Sequence, residues 1–350
     1  MNPQALEQTA QAMVAARRGI LAADESTGTI EKRFKGAGIP LSEENRRAYR
    51  ELLFSAPDLG KYISGVIMYD ETLRQKTRSG VPFPKFLADQ GVLPGIKVDK
   101  GVKPLLNFPD ETITEGLDGL AERLAEYHGL GARFAKWRAV ISVGRSSGGW
   151  WLPTRFAIEA NAQALARYAA LCQHAGIVPI VEPEVLMDGD HDLARCAEVT
   201  DAVLETVFDA LHAHRIHLEG MVLKPNMVIS GLKCATQASV DEVAVATVRC
   251  LKRRVPAAVP GIAFLSGGQS SEVATAHLSA MNALATPAAP LPWHLTFSYG
   301  RALQDGALKG WKGEAANAPQ AQRWLQHRAL MNSTACAGAW RRDLEQAASA

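Results

Sequence analysis

Short apolar runs alternate with helical patterns along most of the chain. Eight such runs begin at Gly19, Tyr62, Leu93, Phe134, Ile177, Met221, Gly261 and His294. Between most of them apolar residues recur every three or four positions, as in ENRRAYRELLFS and IEANAQALARYAALCQHAG, which is the spacing of an amphipathic helix. Eight strands alternating with helices predict an α/β fold, a (β/α)8 barrel that forms a single domain over residues 1–350.

A doubly wound parallel sheet is the rival fold for this alternation. It needs a phosphate-binding loop after its first strand, and neither GxGxxG nor GxxxxGK[ST] occurs there. The pattern also predicts an additional N-terminal helix before the first strand. A flexible C-terminal tail is predicted over residues 335–350.

One apolar run, LEGMVLKPNMVISG, carries a lysine at its centre, Lys224. We expect this run to be a buried strand. An unpaired buried ammonium costs several kcal/mol, so the lysine must reach solvent, pair with carboxylates or lose its proton. Lowering the pKa of a lysine by about 3 units costs about 4 kcal/mol and raises its neutral fraction at pH 7 to roughly a quarter. Because a free amine attacks carbonyls to form a Schiff base, Lys224 is a candidate nucleophile.

Charged residues stand near the ends of five predicted strands, where barrels carry their catalytic groups. They are Asp24 on the first strand, Lys97 and Asp99 on the third, Lys136 and Arg138 on the fourth, Glu182 and Glu184 on the fifth, and Lys224 on the sixth. On strands four and five the spacing of two places each pair on one face. We expect these groups to meet at one mouth of the barrel, although each alone could be a solvated rim charge.

Two glycine-rich turns, LSGGQS and SYGR, end the seventh and eighth strands. Barrels frequently bind phosphate there through backbone N–H groups, and Arg301 adds a cation. A second anion-binding end is indicated by the residues that follow Asp24, namely Ser26, Thr29, Lys32 and Arg33. Two phosphate sites beside an imine-forming lysine predict a small bisphosphorylated sugar as substrate.

Composition further limits the classes of partner and cofactor that we expect. A net charge of +2 is too small to indicate nucleic acid or a membrane as a bulk partner. The five cysteines are scattered without a CxxC pair, and the segments GDHD and HAHRIH are better explained as helix ends than as metal ligands. We therefore expect no metal and no cofactor. The start of the chain lacks the apolar core of a signal peptide, from which we infer a cytoplasmic protein.

Seven segments resemble, in order, the motifs of class I fructose-1,6-bisphosphate aldolases over about residues 5–335. They are LAADESTGTIEKR, LPGIKVDKG, GARFAKWRAV, GIVPIVEPEVL, LKPNMV, FLSGGQS and TFSYGRALQ. The resemblance implies reversible cleavage of fructose 1,6-bisphosphate to dihydroxyacetone phosphate and glyceraldehyde 3-phosphate, without a metal. It also implies a homo-oligomer, a tetramer in that family.

The resemblance further implies individual roles. Lys224 would form the imine, Glu182 would be the acid/base for the carbinolamine, and Asp24 would act on the C4 hydroxyl, with Lys136 and Glu184 supporting Lys224. The C1 phosphate would be held by Ser266, Gly267, Gly300 and Arg301. The far end of the sugar would lie near Lys97, Arg138, Lys32, Arg33, Ser26 and Thr29.

Three features depart from the family pattern. The connection GRSSGGWWLPTRFAIEA is longer than usual and carries Trp150 and Trp151, Thr29 stands where serine is common, and no tyrosine follows Tyr299. Many animal and plant members end in a tyrosine. Two alternatives stay open, an imine aldolase or transaldolase for another phosphosugar, and a binding or scaffold protein built on the same barrel.

Overall fold

The eight predicted strands form a closed barrel in the computed structural model, which describes residues 2–348. The strands in chain order are β1 (Gly19–Ala23), β2 (Ile63–Met68), β3 (Leu93–Lys97), β4 (Val102–Pro104), β5 (Thr112–Thr114), β6 (Phe134–Ile141), β7 (Gly144–Arg145), β8 (Trp151–Leu152), β9 (Val178–Val185), β10 (Val222–Leu223), β11 (Gly261–Phe264) and β12 (His294–Tyr299). The order around the barrel is β1-β12-β11-β10-β9-β6-β3-β2, and neighbours are parallel throughout. The pairs β4–β5 and β7–β8 are small antiparallel hairpins outside it. The predicted (β/α)8 barrel is confirmed.

Helices connect the strands and surround the barrel. They are α1 (Pro3–Met13), α2 (Thr27–Gly36), α3 (Glu43–Phe54), α4 (Leu59–Tyr62), α5 (Asp70–Arg74), α6 (Phe83–Ala88), α7 (Leu120–Gly129), α8 (Arg155–His174), α9 (Leu193–Ala213), α10 (Val240–Arg254), α11 (Ser271–Ala283), α12 (Arg301–Trp311) and α13 (Ala318–Ala335). Short 3-10 helices cover Leu218–Gly220, Ala315–Asn317 and Arg342–Ala348. No helix within residues 2–348 is long and apolar enough to cross a membrane.

Polar side chains at their N-caps begin the long outer helices. Thr154, Asp192 and Ser270 each accept a hydrogen bond from a backbone N–H in the first turn of α8, α9 and α11. Ser239 forms a full capping box with Glu242 at the start of α10. Each cap satisfies a backbone donor that the helix itself cannot, which fixes where the chain turns from loop to helix.

The predicted N-terminal helix α1 closes the bottom of the barrel. Its side chains Leu6 and Met13 belong to a buried cluster with barrel residues that include Ile20 and Phe134. The Phe134 ring needs a glycine beside it, because a Cβ on Gly65 would lie 2.8 Å from that ring. Apolar side chains therefore fill this end of the barrel.

The sixth strand is shorter than expected. The sequence predicts a strand through Met221–Val228, but β10 contains only Val222–Leu223. Lys224 N still donates to Val181 O at 2.8 Å, whereas Pro225 has no N–H with which to continue the ladder. The run is buried as predicted, yet beyond Lys224 it is a buried loop.

The segment after α13 lies against the outer helices. Trp340 N donates to Ser279 Oγ on α11 at 3.1 Å, and Trp340 Nε1 donates to Glu345 Oε1 at 2.9 Å. Glu345 Oε2 also lies 2.8 Å from His327 Nε2 on α13. Residues 349 and 350 of the predicted tail lie outside the described residues, and the flexibility of the tail stays a prediction.

Candidate active site

A cavity of about 660 Å³ opens at the C-terminal end of the barrel. Asp99, one of the charged strand-end residues, does not line it, whereas the other residues that the sequence predicts for the site do: Asp24, Ser26, Thr29, Lys32, Arg33, Lys97, Lys136, Arg138, Glu182, Glu184, Lys224, Ser266, Gly267, Gly300 and Arg301. The structure therefore brings these residues together at one cavity.

Four charged side chains form a continuous chain at the base of the cavity. Lys224 Nζ lies 3.2 Å from Glu182 Oε1, and Lys136 Nζ lies 3.6 Å from Glu182 Oε2 and 2.8 Å from Asp24 Oδ2. Lys136, Glu182 and Lys224 are each at most 4% exposed. Of the three ways to accommodate a buried lysine, which are access to solvent, a carboxylate partner and loss of the proton, Lys224 therefore shows the second.

Asp99 extends this chain to the third strand. Its Oδ1 lies 2.6 Å from Lys97 Nζ and its Oδ2 lies 3.9 Å from Lys136 Nζ. Together with the four residues above, Lys97 and Asp99 complete a set of three ammonium groups and three carboxylates. Because opposite charges alternate in this set, their burial is compensated by pairing.

Strand register explains why these side chains meet. Lys136 on β6 lies beside Lys97 on β3, and Arg138 lies beside Glu182 on β9. The spacing of two on β6 and β9 then directs both members of each pair to the cavity, as the sequence predicts. Arg138 donates to Glu184 across the same two strands.

The electrostatics favour the charged forms of Asp24 and Lys136. Burial by itself raises the pKa of Asp24, but the ammonium groups of Lys136 and Lys224 outweigh it and lower that pKa to about 2. Burial lowers the pKa of Lys136, but the nearby carboxylates, Asp24 above all, raise it well above its ordinary value. At neutral pH Asp24 is therefore an ionised carboxylate held by an ammonium group.

Two turns form the side of the cavity at the ends of β11 and β12. Gly267 and Gly268 have φ values of +52° and +72°, a conformation that disfavours any other residue. Gly300 is the residue before α12, which begins at the exposed Arg301. The N-terminus of an 11-residue helix and a guanidinium therefore face the same side of the cavity as the glycine turn.

The residues predicted for the far end of the sugar differ in whether their side chains already pair with carboxylates of the protein. Ser26 Oγ and Thr29 Oγ1 lie 3.1 Å apart, and Lys32 is exposed. Arg33 instead pairs with Glu25 and, at 3.0 Å, with Asp305. Its guanidinium is thus engaged by two carboxylates at the wall of the cavity.

The chain matches one family along nearly its whole length. A sequence model of the family described as fructose-bisphosphate aldolase class-I matches residues 5–350. The chain belongs to the class I fructose-bisphosphate aldolase family. It is 58% identical over 342 residues to a "Probable fructose-bisphosphate aldolase class 1" of Xanthomonas campestris pv. campestris, covering 97% of this chain and 100% of that one.

Relatives and solved structures outside bacteria agree with this assignment. Aldolase B of Gallus gallus is 52% identical over 336 residues, covering 96% of this chain and 90% of that protein. A crystal structure of the aldolase from Plasmodium falciparum, described as a complex with TRAP and a small-molecule inhibitor, superposes with a TM-score of 0.93. That chain is 49% identical, and the match covers 97% of this chain and 96% of that one.

A buried polar network beside the cavity escaped the sequence analysis. Glu25 accepts from Gln304 Nε2 at 3.1 Å and lies 2.9 Å from a guanidinium nitrogen of Arg50. Gln304 Nε2 also donates to Ala22 O at the end of β1 at 2.6 Å. The network ties the backbone next to Asp24 to α3 and α12. Partners 25 and 279 residues apart in the chain leave no local spacing signal that could reveal them.

The long connection after the fourth strand folds as the β7–β8 hairpin. Trp150 and Trp151 on it are 66% and 63% exposed, and the guanidinium of Arg145 lies 4.3 Å from the centre of the Trp151 ring. Neither tryptophan lines the cavity.

Within residues 2–348 no group of three or more His, Cys, Asp or Glu side chains is arranged to hold a metal ion.

Proposed function

We propose that this aldolase cleaves fructose 1,6-bisphosphate reversibly to dihydroxyacetone phosphate and glyceraldehyde 3-phosphate through an imine on Lys224. The observation that carries the proposal is the 3.2 Å contact between Lys224 Nζ and Glu182 Oε1 at the buried base of the cavity. Membership of the family supports the reaction, and the row of paired charged side chains at the base of the cavity supports the imine as its intermediate.

Imine formation begins when Lys224 passes a proton to Glu182 and the resulting amine attacks the C2 carbonyl of the sugar. Glu182 lies within reach of the nitrogen, so it can take two protons from it in turn, passing the first to the carbonyl oxygen and the second to the departing hydroxyl. Water leaves and an iminium forms, which draws electrons from the neighbouring C3–C4 bond. Lys136 Nζ, 3.6 Å from Glu182 Oε2, keeps the carboxylate of Glu182 in a fixed electrostatic environment, while Glu184 on the same face of β9 pairs with Arg138.

Cleavage then depends on a base near C4. Asp24 is ionised at neutral pH and accepts the proton of the C4 hydroxyl as the C3–C4 bond breaks. The bonding electrons pass into the iminium, which gives an enamine and releases the aldehyde product. A proton added at C3 restores the iminium, and water hydrolyses it to release dihydroxyacetone phosphate and Lys224.

The two phosphate groups hold the sugar across the bottom of the cavity. Ser266, Gly267, Gly300 and Arg301 bind the C1 phosphate, through backbone N–H groups and the guanidinium. The other end of the sugar is surrounded by Lys97, Arg138, Lys32, Arg33, Ser26 and Thr29.

Borohydride reduction tests the imine directly. Reduction in the presence of dihydroxyacetone phosphate should attach a triose to one peptide, the one that contains Lys224. Lys224→Met should abolish the adduct, and Lys136→Met should leave any residual adduct on Lys224. An adduct on a different lysine, or an active enzyme without any adduct, would contradict the mechanism.

Cleavage rates measured with fructose 1,6-bisphosphate, fructose 1-phosphate and other phosphosugars test the substrate. A higher kcat/KM for a sugar other than fructose 1,6-bisphosphate would favour the alternative aldolase.

We also propose, from the resemblance to the family, a homotetramer located in the cytoplasm. Analytical ultracentrifugation and cell fractionation test these two points, and a monomer at micromolar concentration would contradict the first.

A further inference from the structure

A short turn at the end of β11 holds the proposed C1-phosphate site. Ser266 O accepts from Gln269 N at 3.1 Å, which closes the turn around Gly267 and Gly268. The side chain of Met187 packs against the turn. It lies so close that a Cβ on Gly267 would be 2.8 Å from Met187 Cε. The backbone donors of this turn can bind an anion only while the turn keeps this left-handed conformation.

The side chain of Gln269 provides a second clamp on the turn. Its Nε2 donates to Ser266 O at 2.9 Å and lies 3.6 Å from Met227 Sδ. Met227 follows Lys224 by three residues, so Gln269 lies where the loops after β10 and β11 meet. Ser266 O can only accept, which fixes the amide orientation and turns Gln269 Oε1 away from the turn.

His277, one of the buried residues of α11, meets that oxygen. Its Nδ1 lies 2.6 Å from Gln269 Oε1, and the residue is 5% exposed. Because Gln269 Oε1 can only accept, Nδ1 must carry the proton. Burial lowers the pKa of His277 to about 4, so the ring is neutral at pH 7 and is held in this single tautomer.

We propose that His277 and Gln269 are positioning residues for phosphate binding, His277 acting through Gln269 to hold the Ser266–Gly268 turn in its anion-binding shape. The inference rests on the proposed function, since it takes that turn as the C1-phosphate site. Neither side chain lines the cavity, so neither touches the substrate. Their effect should therefore fall on the phosphate and spare the carbonyl chemistry.

Two variants break the two hydrogen bonds separately. His277→Leu removes the donor to Gln269, and Gln269→Glu keeps a partner for His277 but replaces the donor to Ser266 O with an acceptor. Met281→Ala is the matched control, because Met281 is a fully buried residue of the same helix, α11, about one helical turn beyond His277. Arg301→Met reports on the proposed phosphate site itself.

The measurement is the rate of borohydride-trapped imine at limiting substrate, with dihydroxyacetone phosphate and with dihydroxyacetone. The ratio of the two rates isolates the contribution of the phosphate. We expect His277→Leu and Gln269→Glu each to lower this ratio at least fivefold, while Met281→Ala lowers the melting temperature and leaves the ratio unchanged. A purely structural role would change both rates equally.

The outcomes separate the inference from the function on which it rests. An unchanged ratio in both test variants, with a lowered ratio in Arg301→Met, overturns the roles of His277 and Gln269 but keeps the phosphate site. An unchanged ratio in all three overturns both. A lowered ratio in the two test variants alone supports the turn as the phosphate site and removes Arg301 from it. If His277→Leu does not fold, Gln269→Glu decides the question.

Discussion

Lys224 Nζ lies 3.2 Å from Glu182 Oε1, and the two side chains are 4% and 3% exposed. At this distance one carboxylate can exchange a proton with the nitrogen or with a hydroxyl that forms next to it. No other carboxylate within residues 2–348 lies within 4 Å of Lys224 Nζ. The pair therefore concentrates the proton transfers of imine chemistry on Glu182.

Glu182→Gln should slow imine formation by roughly 10²- to 10⁴-fold, because the amide keeps the shape but cannot transfer protons. Rapid-quench borohydride trapping with dihydroxyacetone phosphate measures the rate. Glu184→Gln is the matched variant on the same face of β9, and its effect should be smaller. Equal effects of the two substitutions would remove the special role of Glu182.

Lys32 and Arg33 are neighbours in sequence and should behave differently. Lys32→Met removes an exposed cation at the cavity and should raise the KM for fructose 1,6-bisphosphate several-fold with little change in stability. Arg33→Met removes the guanidinium that pairs with Asp305 and, together with Arg50, with Glu25, and should lower the free energy of unfolding by roughly 2 kcal/mol. Kinetics and urea unfolding of both variants make the comparison. A stable Arg33→Met enzyme with a raised KM would instead indicate that Arg33 binds the substrate.

The sequence predicts the barrel and the common mouth because both depend on local patterns. A spacing of two on β6 and β9 directs Lys136 and Glu182 inward whatever surrounds them. The predicted length of the strand at Lys224 is wrong, since apolar character indicates burial and not hydrogen bonding, and Pro225 ends the ladder.

Pairings between distant segments left no pattern to find. The sequence predicts Arg33 as a phosphate-binding residue but gives no sign of its ion pair with Asp305, which lies 272 residues away in the chain. His277 lies on a helix, where a single histidine is an ordinary core residue, and only the position of Gln269 gives it a further meaning.

The buried His277 should make stability depend on pH. Its pKa in the folded state is lowered to about 4 by burial, so below its ordinary pKa the unfolded state binds the extra proton. The stability is complete above about pH 6.5 and falls as the pH drops toward 4. Between pH 7.5 and 5 the loss due to this group should be about 2 kcal/mol. Urea unfolding at the two pH values should show a correspondingly smaller loss in His277→Leu, and an equal loss would contradict the assignment.

Activity should survive chelation. The iminium withdraws electrons from the C3–C4 bond, which is the task that a Lewis acid performs in a metal-dependent aldolase. Prolonged treatment with EDTA followed by gel filtration should leave the cleavage rate within experimental error. A loss that added zinc restores, and magnesium does not, would require a metal in the reaction.

The C-terminal segment should support stability more than turnover. Glu345 accepts hydrogen bonds from Trp340 and Arg328 and lies 2.8 Å from His327 Nε2, while Arg328 NH2 donates to Thr275 Oγ1 on α11 at 2.6 Å. Removing residues 343–350 leaves the guanidinium of Arg328 buried without its carboxylate.

We expect this truncation to lower the free energy of unfolding by roughly 2 kcal/mol. The sequence has no tyrosine after Tyr299, so the removed residues contain no phenol that could protonate the enamine. Cleavage turnover and hydrogen exchange at C3 of dihydroxyacetone phosphate should therefore change less than about threefold, or 0.7 kcal/mol in barrier, well below the melting temperature. Glu345→Gln is the control, since it weakens the same ion pairs without shortening the chain, and it should share the loss of stability. If exchange falls tenfold or more in the truncated chain but not in Glu345→Gln, while imine trapping is intact, the removed residues serve the proton transfer.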